Sequence, residues 1–230
     1  MAAYPKPRIL VCGDTGISVE FGNAIERTVN EKVQRLFRAL KARCCPGILD
    51  LIPAYRSLCI HYDPWGCSYE KLLLVVEDCL CLTAETGSSA AEVIEMIEIP
   101  VCYGGEYGPD LTEVAAQHQL GIEEAIILHS SVVYDVTMIG FTPGFAYLGG
   151  LNARLFTPRK KQPRQSVPAG SVGIADQQTG IYSIESPGGW QLIGRTPVKL
   201  FDPERTDPFL LRPGNRLRFR PITGGEFESD

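Results

Sequence analysis

What the sequence lacks narrows its chemistry first. No lysine follows a glycine anywhere in the 230 residues, so the phosphate-cradling loop of P-loop nucleotide enzymes is excluded. Neither G-x-G-x-x-G nor H-E-x-x-H occurs, and Gly170-Ser171-Val172-Gly173 is one residue short of the G-x-S-x-G turn that presents a nucleophilic serine. Histidines number only 3, which leaves few candidates for proton transfer near neutral pH. Cations are outnumbered, with 22 Lys and Arg against 27 Asp and Glu and a formal net charge of -5. Nucleic acid is therefore not expected as a partner, because neutralising phosphates takes an excess of clustered Lys and Arg. No apolar run approaches the ~20 residues that span a bilayer. The longest, residues 72–76, is stopped by Glu77 and Asp78. Pro5 and Pro7 stand near the start without an apolar stretch beside them, so no secretory signal is legible and a cytoplasmic location is expected.

Cysteine is present but not in C-x-x-C pairs. All eight (Cys12, Cys44, Cys45, Cys59, Cys67, Cys79, Cys81 and Cys102) fall in the first half of the chain, and mostly buried, reduced thiols are expected. His61 lies near Cys59 and Cys67, but without the spacing of a tetrahedral zinc site, so no metal is expected.

Patterning divides the chain near residues 83–91, which are small, polar and without apolar period. Before that point, residues 8–12 and 17–21 flank the turn-forming Gly13-Asp14-Thr15-Gly16 and predict a hairpin. Ile25, Val29, Val33, Leu36, Phe37 and Leu40 recur at helical spacing and predict a helix over 25–40, ended by Pro46 and Gly47. Strands are expected at 48–52 and 57–62, then a helix over 68–81 begun by Ser68. The order β-β-α-β-β-α implies a small α/β sandwich, here residues 1–90. The second part, 91–230, opens with a strand at 93–103 and two short helices, one from about Thr112 to Gly121 and one over 122–129. After Tyr134, short apolar stretches (172–175, 180–184, 217–219) alternate with Gly and Pro, as in a closed or partly closed β-barrel. The fold class expected is α+β. Ser88-Ser89 after Gly87 suggests the serine-rich loop of an amidase, but no neighbouring base is in view and it reads as linker.

Five runs in the second part hold more Gly, Pro and Arg than strands and helices require: YGGEYGPDLTEVA (103–115), GFTPGFAYLGGL (140–151), TPRKKQPRQSVPAGSVGIADQQTGIY (157–182), SPGGWQLIGRTP (186–197) and LFDPERTDPFLLRPG (200–214). Together they closely resemble the carboxyltransferase A/B family in its 5-oxoprolinase branch. Weaker matches in the first part are Gly13-Asp14, Val19-Glu20-Phe21-Gly22 and Asp63-Pro64. The resemblance implies a cyclophilin-like barrel after the α/β domain. It also implies a larger homologous, KipA-like partner, a third 5-oxoprolinase component, and ATP-dependent cleavage of 5-oxoproline to glutamate by the complex. Two other readings come with it: a binding module that inhibits a sensor histidine kinase, and a carboxyltransferase-like half-site served by biotin on another chain.

Within these runs the residues offer specific chemistry. Gly140, Gly144, Gly149 and Gly150 around Phe141, Phe145 and Tyr147 suit either a loop that approaches a ligand between aromatic walls or a tight barrel corner. Arg159 and Arg164, each directly after a proline, are candidates for two-point contact with a carboxylate or phosphate, whereas Lys160 and Lys161 read as a solvated face. Pro168-Ala169-Gly170-Ser171 is either an oxyanion site, built from backbone N–H groups and the Ser171 hydroxyl, or an ordinary turn. Gly188 and Gly189 set Trp190 beside a turn, where it covers a ligand or fills the barrel, and Arg195 is a third anion contact. His129, at the end of a helix, is expected to gain protonation from the helix dipole and to serve proton transfer or a structural hydrogen bond. One departure from the family pattern is Pro213-Gly214-Asn215, where Asn replaces Asp and keeps the turn but loses a charge.

Overall fold

The structure, a computed structural model, describes residues 3–85 and 96–229. The chain divides into two compact units, Met1–Val93 and Ile94–Asp230.

In the first unit, alternating apolar residues of a sheet meet two amphipathic helices. β1 (Ala3–Val11) and β2 (Gly16–Gly22) form the hairpin that the glycine turn predicts, with Val11 opposite Ile17. Next come α1 (Arg27–Arg43), β3 (Ile48–Pro53), β4 (Ser57–Tyr62) and α2 (Tyr69–Glu85). The sheet is antiparallel throughout, in the order β1-β2-β4-β3. Ile17, Val19, Leu58 and Ile60 share one core with Val33, Leu36, Leu72 and Val76 of the helices. Side chains alternate across a strand, so Cys59 and His61 point away from that core while Cys67 lies within it. Among the described residues no group of His, Cys, Asp and Glu is placed to hold a metal ion.

Several details differ from the sequence reading. α1 starts after Ile25 and runs on to Arg43, where Cys44 turns left-handed (φ 46°) and stops it before Pro46. α2 continues past Cys81 to Glu85, so residues 83–85 are helix rather than linker. The remainder of the linker, with Ser88 and Ser89, and residues 93–95 of the expected strand lie outside the described residues. The thiols are free but less buried than expected: Cys67, Cys79 and Cys102 are buried, whereas Cys12, Cys44 and Cys81 are exposed.

The second unit begins with β5 (Met96–Tyr103), α3 (Leu111–Gln117), α4 (Ile122–Ser130), β6 (Val133–Ile139) and β7 (Ala146–Gly149). β8 (Arg164–Val167), β9 (Ser171–Ala175), β10 (Gln178–Ile181), β11 (Ser186–Gly188), β12 (Gln191–Arg195), β13 (Arg216–Ile222) and α5 (Gly224–Ser229) complete it. Seven strands close a barrel in the order β10-β7-β6-β13-β5-β12-β9, and β8 and β11 form a separate ribbon. β13 runs parallel to β5; the other barrel pairs are antiparallel. The protein is thus α+β, a small sandwich followed by a closed barrel.

The lumen is filled rather than open. Tyr134, Leu148, Val172, Ile174 and Phe219 share one core, to which α3 and α4 add Leu111, Val114 and Ala125. Asn215 serves the turn before β13: its side chain accepts from the Arg212 N–H (2.7 Å) and its carbonyl from the Val136 N–H (2.9 Å).

His129 of α4 belongs to this interior. Its ring stacks on Phe219 at 4.7 Å and is 1% exposed. Nε2 lies 2.9 Å from Thr179 Oγ1, whose own proton goes to the Gly173 carbonyl, so Nε2 is the donor. Nδ1 then accepts from the Tyr103 hydroxyl at 2.8 Å. Acceptance at Nδ1 requires the neutral ring, and burial pushes the imidazole pKa down to about 3. Desolvation therefore overrides the helix dipole, and the protonated imidazole expected from the sequence is not formed. In the unfolded chain the same group takes up a proton at about pH 6.5. Its stabilising contribution is complete above that pH and is lost as pH falls toward about 3. Replacing it by a residue that does not titrate, His129→Gln, is expected to flatten the fall of unfolding free energy across that window. One proton accounts for at most ~1.4 kcal/mol per pH unit. Denaturant titrations of both proteins from neutral to acid pH measure the difference, and parallel slopes would assign the acid sensitivity to other groups.

Candidate functional site

The predicted site residues collect on the outer wall of the barrel. Gly180 of β10 lies opposite Tyr147 of β7 on one side and Gly173 of β9 on the other, and Gly173 lies opposite Leu192 of β12. Tyr182, just past β10, continues the ladder: its N–H donates to the Ser171 carbonyl (2.9 Å) and its carbonyl accepts from Gly170 N–H (2.7 Å). Ser171 is in turn opposite Arg195. Val172 and Ile174 face the lumen, so alternation puts Ser171, Gly173 and Ala175 outward. Two rows thus run across β10, β9 and β12, one Tyr182–Ser171–Arg195 and the other Gly180–Gly173–Leu192.

The glycine row makes space for aromatic rings. A Cβ on Gly180 would lie 3.1 Å from both Phe145 and Trp190, and one on Gly173 would lie 3.0 Å from Trp190 Cβ. On this floor sit Phe145, Tyr182 and Trp190, with Phe145–Tyr182 centroids at 5.0 Å and Phe145–Trp190 at 5.4 Å, both edge-on. The β8–β11 ribbon covers them, contributing Val167 to the cluster, while a Cβ on Gly188 would collide with the Tyr182 hydroxyl. Trp190 is therefore a packing residue of this outer cluster; it neither fills the lumen nor lies open to a ligand.

The cluster opens at one edge. Tyr147 packs against Phe145 and Trp190 at 4.6 and 5.8 Å and stays part-exposed. Phe141 packs edge-on against Phe145 at 5.6 Å and is 63% exposed. Its φ of 70° is a left-handed conformation that a bulky side chain adopts only at a cost. Next to it, Thr142 Oγ1 is buried and has no hydrogen-bond partner among the described residues. The Arg159 guanidinium completes the edge, 5.9 Å over the Trp190 ring. Burial pushes the Tyr147 phenol up, and the Arg159 charge draws it partly back. Besides the Trp190 ring, Arg159 meets Asp176 in an exposed ion pair at 3.6 Å, an interaction of small net energy.

The remaining arginines have other duties. Both carboxylate oxygens of Asp110 accept from Arg164 Nη2, at 2.7 and 2.8 Å, and Arg164 Nη1 reaches the Trp190 carbonyl at 3.4 Å. The guanidinium read as a substrate contact is thus committed to the protein's own acid. Lys160, read as a solvated side chain, donates to the same carboxylate at 2.8 Å, whereas Lys161 is exposed as expected. The Leu192 N–H is a further donor to Asp110, at 2.7 Å. Burial alone would raise the Asp110 pKa, but the hydrogen bonds from Arg164, Lys160 and Leu192 prevail and hold it below the usual carboxylate value. Arg195 donates to the Ala169 carbonyl at 2.8 Å and lies 5.9 Å over Phe227.

The oxyanion reading of residues 168–171 does not hold. Gly170 N–H donates to Tyr182, and Ser171 N–H to the Pro168 carbonyl at 3.2 Å, so neither is offered to a ligand. Ser171 itself is 2% exposed. Gly189 serves the backbone, accepting from Lys160 N–H at 2.7 Å. His129 lies in the lumen, on the other side of the wall from the aromatic edge.

A model of the carboxyltransferase domain, subdomain C and D, matches residues 7–211 of the chain. The chain belongs to this family. It is similar to the B subunit of 5-oxoprolinase from Bacillus subtilis (strain 168), 44% identical over 227 residues that cover 94% of this chain and 93% of the relative. The same-named protein of Escherichia coli O157:H7 is 41% identical, with 96% and 98% covered. Among solved structures, a crystal structure of TTHA0988 superposes with a TM-score of 0.80 at 41% identity. The match covers 91% of this chain but 40% of that one, so this family member spans less than half of the longer protein.

Asp110 is the residue that sequence reasoning missed. It stands directly before α3 and reads as a helix cap, yet its side chain makes no cap hydrogen bond. The available signal was an acid and several cations in neighbouring Gly- and Pro-rich runs. Removing the carboxylate strands two half-buried cations and the Leu192 N–H. Asp110→Ala is expected to cost about 3 kcal/mol of unfolding free energy and Asp110→Asn, which keeps an acceptor, less. Equilibrium denaturation of the three proteins at neutral pH tests the ranking, and an unchanged Asp110→Ala midpoint would refute it.

Proposed function

We propose that the chain is the smaller, non-autonomous subunit of a cytoplasmic, heteromeric 5-oxoprolinase, and that its aromatic edge holds 5-oxoproline. The family membership and the 41% and 44% identities to 5-oxoprolinase B subunits over nearly whole chains support the reading. Among the described residues no helix is long and apolar enough to cross a membrane. The observation that carries the site assignment is the grouping of two accessible rings, Phe141 and Tyr147, with a guanidinium held by an exposed ion pair and the face of Trp190.

5-Oxoproline is a small, nearly flat lactam bearing a carboxylate. The aromatic faces suit its ring, and Arg159 suits its carboxylate in two-point contact. The protein's part in this reading is to bind and orient the ring. Hydrolysis adds water across the lactam C–N bond to give glutamate, and consumption of ATP is reasonable for so stable an amide. The residues of this chain do not fit a nucleotide site. No Gly-Lys phosphate loop is present, and the two best placed cations, Lys160 and Arg164, are committed to Asp110. We therefore assign ATP, and the groups that open the ring, to the third component and the larger homologous partner.

The purified chain alone is expected to form no glutamate from 5-oxoproline and ATP, and the reconstituted complex is expected to form it. Robust turnover by the chain alone would overturn this reading. Within the complex, Arg159→Lys keeps the charge but loses the planar fork, so turnover at limiting 5-oxoproline should fall by about tenfold or more while assembly persists. Steady-state rates measured beside a pull-down of the larger partner separate the cases. Normal rates would remove Arg159 from the site, and loss of assembly would move it to the contact between the two proteins.

A further inference from the structure

The first unit presents a second surface that the proposed reaction does not use. Its sheet has two edges, built differently. β1 carries Pro5, Lys6, Pro7 and Arg8, the residues with which proteins block unwanted strand pairing. β3 (ILDLIP) has neither proline nor a basic residue along residues 48–52, and it exposes Leu49 at 70% and Ile52 at 42%. Its one charge, Asp50, folds back to accept the N–H of Leu51 at 2.8 Å, occupying a donor that an incoming strand's carbonyl would take.

Three features adjoin this edge. A groove of about 490 Å³ runs between β3 and the end of α1, lined by Phe37, Leu40, Lys41, Cys44, Ile48 and Leu51 among others. Trp65 stands 97% exposed in the loop after β4, and that loop is joined to the start of β3 by the Asp63 N–H bond to the Gly47 carbonyl at 2.8 Å. α1 is basic within an acidic chain, carrying Lys32, Arg35, Arg38 and Lys41 besides Arg27 and Arg43, which pair with Glu31 and with Asp78 of α2. Lys41 sits at the groove itself, with Nζ 5.7 Å over the Phe37 ring.

We propose that β3 receives an extended acidic segment of a partner protein as a fifth strand. Backbone hydrogen bonds to the free positions of the edge would fix its register, and the alternate side chains on the face toward α1 would enter the groove, apolar ones against Phe37 and Leu51 and acidic ones at Lys41. Trp65 would cap one end of the contact. A second copy of this chain fits less well, because a twofold β3–β3 pairing sets two basic α1 helices side by side on one face of the joined sheet.

The probe is a short synthetic peptide of repeating Val-Thr-Glu-Thr, which puts Val and Glu on one face of a strand, compared with the same peptide carrying Lys in place of Glu. The full chain has 2 tryptophans, and Trp190 is buried, so the exposed Trp65 reports binding by its emission. Backbone amide shifts locate the contact. The acidic peptide is expected to bind at least about tenfold more tightly than the basic one and to shift the amides of residues 48–53. Leu49→Lys should abolish binding, and Lys41→Glu should reverse the preference between the peptides. Both positions are exposed, and a thermal melt checks that each variant folds. Equal binding of the two peptides, no binding, or shifts confined to other segments would overturn the proposal. So would β3 shifts that depend on protein concentration alone, which would mean that a second copy occupies the edge.

Discussion

Asp110 sits almost out of water, and it remains ionised there because Arg164, Lys160 and the Leu192 N–H all point at it. Its own N–H returns a bond to the Leu192 carbonyl at 2.9 Å, so backbone and side chain clamp the same residue of β12. Three segments distant in sequence are joined at this carboxylate: the start of α3, the basic loop leading into β8, and the barrel wall. The β8–β11 ribbon covers Phe145, Tyr182 and Trp190, and Arg164 is the first residue of that ribbon. Without the acid, Arg164 would face the wall without a carboxylate, Lys160 would keep only its longer contacts to Glu113 and Gln191 among the described residues, and the ribbon would lose its anchor. Breaking a buried ion cluster by removing one member is costly because the remaining charges stay desolvated.

With the lumen filled, the proposed site lies on the outside of the barrel. The wall makes room for it by omitting side chains at Gly173 and Gly180, which lets large rings lie directly on backbone. Phe145 and Trp190 then stand as a fixed layer from which Phe141 and Tyr147 project. The left-handed Phe141 and the unpaired Thr142 hydroxyl both occur at this edge, where local structure gives up stability.

Much of the fold was legible from period and punctuation. The spacing of Val29, Val33, Leu36 and Leu40 located α1, and the glycine turn after Cys12 located the first hairpin, because both signals are local. Helix ends were less legible: Cys44 terminates α1 in a conformation usually taken by glycine, which composition does not announce. In the candidate site, Phe141, Phe145, Tyr147 and Arg159 were picked out from the sequence, and the fold brings them together, with Phe145 buried beneath the other three. Arg164 and Lys160 were misjudged, and the choice between proton transfer and a structural hydrogen bond for His129 stayed open, for a common reason. Each role depends on a partner far along the chain, Asp110 for the cations and Tyr103 and Thr179 for the histidine. Side-chain type alone does not distinguish a guanidinium awaiting a ligand from one already satisfied.

The parallel pairing of β5 with β13 has a consequence for how the barrel is made. β5 is the first strand of its unit to emerge from a ribosome and β13 the last, yet Met96 lies beside Arg216 and Cys102 beside Ile222. Until β13 has left the exit tunnel, β5 and β6 each have one edge unsatisfied, and their apolar faces have no closed wall to enclose. Closure therefore waits until β13 has been made and carries the entropy of joining the two ends of a long intervening chain. Nascent chains stalled before residue 216 would hold an open sheet with two unpaired strand edges, the kind of surface that pairs with other chains.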